Sequence, residues 1–172
     1  MTLHRVPAVP PSAARWELFA RQAPDLAGRV RARFESAPDH VLASRAFDGS
    51  PRVSGAQVRW VGARLAVVGT AGRPVADDLR RDPRFALHSN PGDGSRRAGD
   101  AMVHGRATPL SLTGVQEAFG GVSPTLERWL AGPVPDGYWL DVTSVELVTA
   151  VEGGSRYETW TPTAGLTTRS EP

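Results

Sequence analysis

Apolar residues fall at helical spacing early in the chain and at strand spacing from Val41 onward. Ser12 can cap a helix that carries Trp16, Phe19 and Ala20 on one stripe. Pro24 interrupts it and starts a second helix, with Leu26, Ala27, Val30 and Phe34 on one face and Arg29, Arg31 and Arg33 outside that face. These read as a helical pair packed on one end of a sheet. The run 41–47, the turn Asp48-Gly49-Ser50-Pro51 and the run 52–62 then read as a hairpin, because Asp-Gly is a strong turn dipeptide. In its second arm Val53, Gly55, Gln57 and Arg59 alternate with Arg52, Ser54, Ala56, Val58 and Trp60 without a clean apolar side, so both faces are expected to be covered or lined. Residues 63–69 return as a third strand.

The next stretch, GTAGRPVADDLRRDPRFALH (69–88), organises the centre of the chain. Gly69 and Gly72 allow positive φ and close backbone approach, and Pro74 suits the first turn of a short helix. Arg73 would stand at the mouth of that helix, where unsatisfied N–H groups favour an anion. Asp77 and Arg81 are spaced four apart in the favourable order. Pro83 ends the helix, and 84–88 reads as a buried strand. A turn of this kind can hold a phosphate; it can equally be an ordinary connection whose glycines only cap it.

The polar segment 89–100 reads as an exposed loop and 101–107 as a strand. Residues 110–121 and 124–130 have helical patterns, closed by Pro133 and Pro135. The longest strand signal is 138–151. Gly153-Gly154 turns the chain, RYETWTP (156–162) pairs back, and the remainder reads as extended. Six or seven strands in mostly hairpin order predict a mainly β, α+β architecture: a small barrel with peripheral helices. The expected organisation is an N-terminal arm over 1–11, one domain over 12–165 and a tail over 166–172.

Composition narrows the chemistry. Cysteine is absent, which removes disulfides, thiolate metal sites and thiol nucleophiles. All 20 basic residues are arginine, so Schiff-base lysine chemistry is excluded. Net charge is only +2, with no arginine run longer than two and no aromatic–basic interleaving, which argues against nucleic-acid binding. No apolar run approaches membrane-span length and no signal-peptide core is present, so a cytoplasmic protein is expected. There is no Walker loop, GxSxG, HExxH or GxGxxG. His4, His40, His88 and His104 are isolated in sequence, although His88 and His104 lie in strands that could meet. Asp77-Asp78 reads as a solvated helix face, and Trp139 and Trp160 as core or interface anchors. No metal site and no catalytic acid or base stands out.

The phrases HVLASRAFDGSPRVSGAQVRWVGARLAVVGT, DLRRDPRFALHSN and GDAMVHGRA, continuing to YETWTP, resemble the FMN-binding split-barrel family of the pyridoxamine 5′-phosphate oxidase type, closest to its large actinobacterial subgroup. The resemblance spans about residues 12–165. It implies a split β-barrel and a homodimer with two sites at the subunit interface. The implied cofactor is FMN or the related deazaflavin coenzyme. It places Arg52, Val53 and Ser54 along the ring, Thr70 and Arg73 at the phosphate, and His88 and Ser89 close by.

The sequence departs from that family's pattern where cations are usual: Val75, Asp77 and Met102 occupy positions that are commonly basic. Losing a charge-assisted phosphate contact costs about 1.5–3 kcal/mol. Cofactor binding is therefore expected to be weakened, redirected to other arginines such as Arg52, or lost. Two functions follow. One is a flavin-dependent oxidoreductase that transfers hydride to or from a small organic substrate. The other is a non-catalytic module on the same fold, holding flavin, haem or another ligand. Pyridoxamine-phosphate oxidation would need a basic pocket for a second phosphate, and none can be assembled from this chain.

Overall fold

The computed structural model describes residues 11–70, 72–92, 97–111, 113–114, 118 and 137–172. Two helices open it, α1 (Pro11–Gln22) and α2 (Pro24–Glu35). Strands β1 (Asp39–Arg45), β2 (Pro51–Val61) and β3 (Arg64–Val68) follow as a meander. Helix α3 (Pro74–Arg81) leads to β4 (Arg84–His88) and β5 (Asp100–Pro109). The chain ends in β6 (Tyr138–Val151), β7 (Gly154–Thr161) and β8 (Gly165–Glu171).

The strand pairings among the described residues are antiparallel, in the order β3-β2-β1-β4-β5-β6-β7-β8, and β3 also pairs with β6. Six strands thus close into a barrel. The closure is short: Tyr138 and Trp139 of β6 face Val67 and Ala66. From Val145 onward β6 pairs with β7 instead. One long strand therefore serves the barrel at its start and an outer three-stranded extension at its end. Helix α1 covers the split. Phe19 packs on Trp160 at 4.9 Å, Trp16 on Trp60 at 4.5 Å, and Trp160 Nε1 donates to Gln22 Oε1 at 2.8 Å. Phe19, Leu42, Leu65, Leu87, Leu140 and Trp160 are almost fully buried in one continuous core. Arg29 donates two 2.6 Å bonds to Glu158, fastening α2 to β7.

Between His104 and Gly105 the register of β5 on β6 shifts by a bulge. Gly105 is required there, since a Cβ would lie 1.9 Å from the Asp141 carbonyl oxygen.

The structure corrects several sequence expectations. There are eight strands among the described residues, because the expected tail forms β8 along the whole of β7. Its side chains are almost all exposed, so it carries no apolar signal. Strand β4 is buried on one face only: Phe85 and Leu87 point inward, Ala86 and His88 do not. In β2 the face bearing Val53, Gly55, Gln57 and Arg59 is exposed, not covered, and Gly55 and Gln57 on it line a cavity. Asp77 pairs with Arg80 at 2.6 Å instead of Arg81. Asp78, expected on a solvated face, is 2% exposed. It lies three residues after Val75 and beside Leu79 on the inward side of α3, so helical geometry carries it under the sheet. Of the expected arm over 1–11, Pro11 begins α1 and residues 1–10 lie outside the described residues, as do most of the expected helices over 110–130.

Candidate functional site

The turn after β3 has the form its composition implies. Gly69 (φ +79°) and Gly72 (φ +68°) adopt the left-handed region that other residues resist. Pro74 begins α3, and its ring holds the preceding Arg73 extended at φ −95°, ψ 144°. The Arg73 N–H donates to the Thr70 carbonyl at 3.0 Å, and the Ala76 N–H to the Arg73 carbonyl at 2.9 Å. The backbone of Arg73 is thus fixed. Its exposed side chain makes no hydrogen bond or ion pair among the described residues.

That side chain borders a cavity of about 380 Å³, lined by Asp39, Gly55, Ala56, Gln57, Val68, Gly69 and Arg73. The size lies in the range of small-molecule sites, about 300–1,000 Å³. Asp39, Gln57 and Val68 are directly opposite one another across β1, β2 and β3. Gln57 Nε2 donates to Asp39 Oδ1 at 3.3 Å, and Asn90 Nδ2 donates to the Asp39 carbonyl at 3.1 Å. A Cβ placed on Gly55 would meet nothing within 4 Å, so the β2 backbone can be approached by a flat ligand. A larger hollow of about 560 Å³ lies between the end of α2 and β2. Its arginines are engaged: Arg31 bonds Glu35 and stacks on Trp60, and Arg59 bonds the Val58 carbonyl.

The residues singled out from sequence separate into those at this cavity and those elsewhere. Arg73 lines it, and Thr70 supports the turn through its carbonyl while its side chain is buried. Val53 projects from the same exposed face of β2, two residues before Gly55, and is 69% exposed. Ser54 is half-buried opposite Leu42 on the other side of the strand. His88 shares the outward row Gly55–Val41–His88, two strands and about 10 Å from Gly55. Its Nδ1 lies 2.6 Å from the Ser89 carbonyl, which can only accept, so Nδ1 donates there. His104 stands diagonally opposite His88, facing Ala86. Ser89 is sealed: its Oγ accepts from the Ala101 N–H at 3.1 Å, and its own N–H bonds the Ala101 carbonyl.

Arg52 points away from the cavity to Asp78. Its Nε donates to Asp78 Oδ2 at 2.6 Å, Ser44 Oγ donates to the same oxygen at 2.9 Å, and Arg81 donates to Oδ1 at 3.2 Å. Burial alone would push the Asp78 carboxyl up, but hydrogen bonds from Arg52, Ser44 and Arg81 outweigh it and hold the acid below its ordinary range. Sequence reasoning missed Asp39, Gln57 and Asp78. The first two were within reach, since each stands nine residues from Asp48, about which the hairpin pairs symmetrically. Among the described residues no three histidine or carboxylate side chains gather as a metal site, and no helix is long and apolar enough to cross a membrane.

No protein-family model and no curated protein matches the chain in sequence. Solved structures do match in fold. A haem-binding protein from Mycobacterium smegmatis superposes with a TM-score of 0.63 at 17% identity, over 91% of this chain and 60% of its own length. PhzG from Burkholderia lata 383, solved with tetrahydrophenazine-1-carboxylic acid, matches at 0.59 and 16%, over 94% of this chain and 93% of that one. A pyridoxamine 5′-phosphate oxidase-related, FMN-binding protein from Nostoc punctiforme matches at 0.61 and 12%, over 84% and 94%. The chain spans about 60% of the length of the first of these. At such identities the likeness defines the architecture, which is the split barrel of the pyridoxamine 5′-phosphate oxidase type.

Proposed function

We propose that this chain is a flavin-binding split barrel that works as an oxidoreductase on a small organic substrate. The observation that carries the reading is the open cavity between the Gly55–Gln57 backbone of β2 and the Gly69–Arg73 turn, on a barrel shared with FMN-binding proteins. A bound flavin, FMN in the first instance, supplies a ring that accepts or donates hydride. The chain's own part is to bind and orient. The β2 backbone at Gly55 offers close approach, Gln57 an amide, and Arg73 a guanidinium free of protein partners among the described residues. No side chain need move a proton for hydride transfer, which fits a cavity whose titratable lining among the described residues is Asp39 and Arg73.

The reading includes a homodimer. Val53, Ala43, Ala86 and His104 form one cross-strand row, and Gly55, Val41, His88 and Met102 the next. Val53 and Val41 are 69% and 37% exposed, so this face presents apolar and small side chains to its surroundings. The cavity opens on the same face at Gly55. A second copy seated there would bury the apolar row and wall the cavity from water.

The haem-binding neighbour favours a second reading, a non-catalytic module holding flavin or haem. Among the described residues no histidine lines the cavity, and His88 stands about two strands away, which supports the first reading over the second. The visible spectrum of the purified protein tests both. Flavin bands, or quenching of micromolar flavin fluorescence on titration, support the proposal. A Soret band supports the module, deazaflavin fluorescence the related coenzyme, and no retained or bound chromophore contradicts the redox reading.

A further inference from the structure

We propose that Asp39 offsets Arg73 in the β1–β2–β3 cavity, so that a phosphomonoester on the flavin side chain adds no affinity and unphosphorylated flavin is held at least as well as FMN. The inference rests on the flavin reading of this cavity and names the ligand charge it selects.

Among the described residues two charged ones line the cavity, Arg73 and Asp39, and their formal charges cancel. A phosphomonoester carries about −1.5 to −2 at neutral pH, so one guanidinium does not neutralise it even without a carboxylate nearby. Of the nearby cations, Arg59 on the same β2 face already donates to the Val58 carbonyl at 3.0 Å, and those around α3 cannot be recruited cheaply. Arg52 and Arg81 hold the buried Asp78 at 2.6 and 3.2 Å, and withdrawing either strips a partner from a buried carboxylate. Arg80 is bonded to Asp77. The positions nearest Arg73 along α3 add no positive charge: Val75 is 1% exposed, and Asp77 is acidic. No lysine exists anywhere in the chain.

The helix mouth offers little more. From Arg73 to Ala76, the Arg73 N–H is donated to Thr70, Pro74 has none, and the Ala76 N–H is donated to Arg73. Only Val75 of these four can still turn an amide toward an anion. Contacts to an uncharged ring, by contrast, depend on the β2 backbone at Gly55 and on Gln57, and none of these losses touches them. The exposed carboxylate of Asp39 accepts from Gln57 Nε2 at 3.3 Å, which directs it toward the β2 side of the cavity.

The test is fluorescence titration of the ligand-stripped full chain with riboflavin and with FMN, for wild type and Asp39→Asn. Asparagine keeps the acceptor for Gln57 and the backbone bond to Asn90, so the fold is retained. In wild type riboflavin binds as tightly as FMN or more tightly. Asp39→Asn strengthens FMN binding by about tenfold and leaves riboflavin within about twofold. Lowering pH from about 7.5 to about 5.5, which removes one phosphate charge, strengthens FMN alone. FMN binding about tenfold or more tighter than riboflavin in wild type, or an unchanged ratio in Asp39→Asn, overturns the inference and leaves the flavin reading standing. Failure of both flavins to bind at micromolar concentration overturns the two together.

Discussion

Arg52 Nε donates to Asp78 Oδ2 across 2.6 Å, joining the start of β2 to the inward face of α3. With Ser44 and Arg81 the contact satisfies a carboxylate that is 2% exposed. It fastens the helix that follows the glycine turn, and it removes two guanidinium groups from competition for a ligand. The cavity keeps Arg73.

Asp78→Asn is expected to destabilise the fold by about 1–2 kcal/mol, because the buried carboxylate is lost while Arg52 and Arg81, each more than a third exposed, keep access to solvent. The folded pKa of Asp78 lies below its unfolded value, so its contribution is complete above the unfolded pKa of about 3.9 and is lost as pH falls through the folded one. Urea denaturation of wild type and Asp78→Asn at neutral and acid pH checks both, with the difference shrinking in acid.

Glu158→Gln tests the clasp between α2 and β7. The paired hydrogen bonds from Arg29 hold the Glu158 carboxyl below its ordinary range. Arg29 is partly exposed, which limits the expected loss to about 1–2 kcal/mol. The sign matches Asp78: the loss is present above the unfolded glutamate pKa of about 4.3 and fades below it. Chemical denaturation at two pH values reads it.

Phe19→Ala removes the side chain that α1 inserts against Trp160 over the split. Phe19 is fully buried and contacts both Trp16 and Trp160. The cost is about 3–5 kcal/mol, measured by thermal or urea unfolding.

Val53→Glu places a charge at the β2 end of the exposed row Val53–Ala43–Ala86–His104. If two copies pair through that face, light scattering after gel filtration shows monomer where wild type is dimeric. Monomer stability changes by no more than about 0.5 kcal/mol, since Val53 is exposed within one chain. A monomeric wild type, or a Val53→Glu variant that stays dimeric, removes this dimer from the account.

Much of the barrel is legible in the sequence because its signals are local. The Asp-Gly turn fixes the β1–β2 register, the prolines place the starts of α2 and α3, and the alternation in 138–151 marks β6. Two features are not local. Strand β8 exists because β7 has a free edge, and its own polar side chains give no sign of it. Asp78 reads as solvated until β1 and β2 deliver Ser44 and Arg52 to it. At the site, Gly69, Gly72 and Arg73 stand out from composition alone. Asp39 and Gln57 reach the same cavity only through strand pairing, and Arg52 leaves it only through Asp78.

The central claim is that the cavity beside Gly55 receives a flavin ring, and Gly55→Leu addresses it most directly. Gly55 has no positive φ and an added Cβ meets nothing within 4 Å, so leucine can project into the approach to the β2 backbone without straining the strand. Flavin fluorescence titration of wild type and Gly55→Leu, with circular dichroism as the fold control, is the measurement. Micromolar binding by wild type and at least about a hundredfold weaker binding by a folded Gly55→Leu is the predicted result. A folded Gly55→Leu that binds flavin like wild type would contradict the account, because the ring would then lie elsewhere.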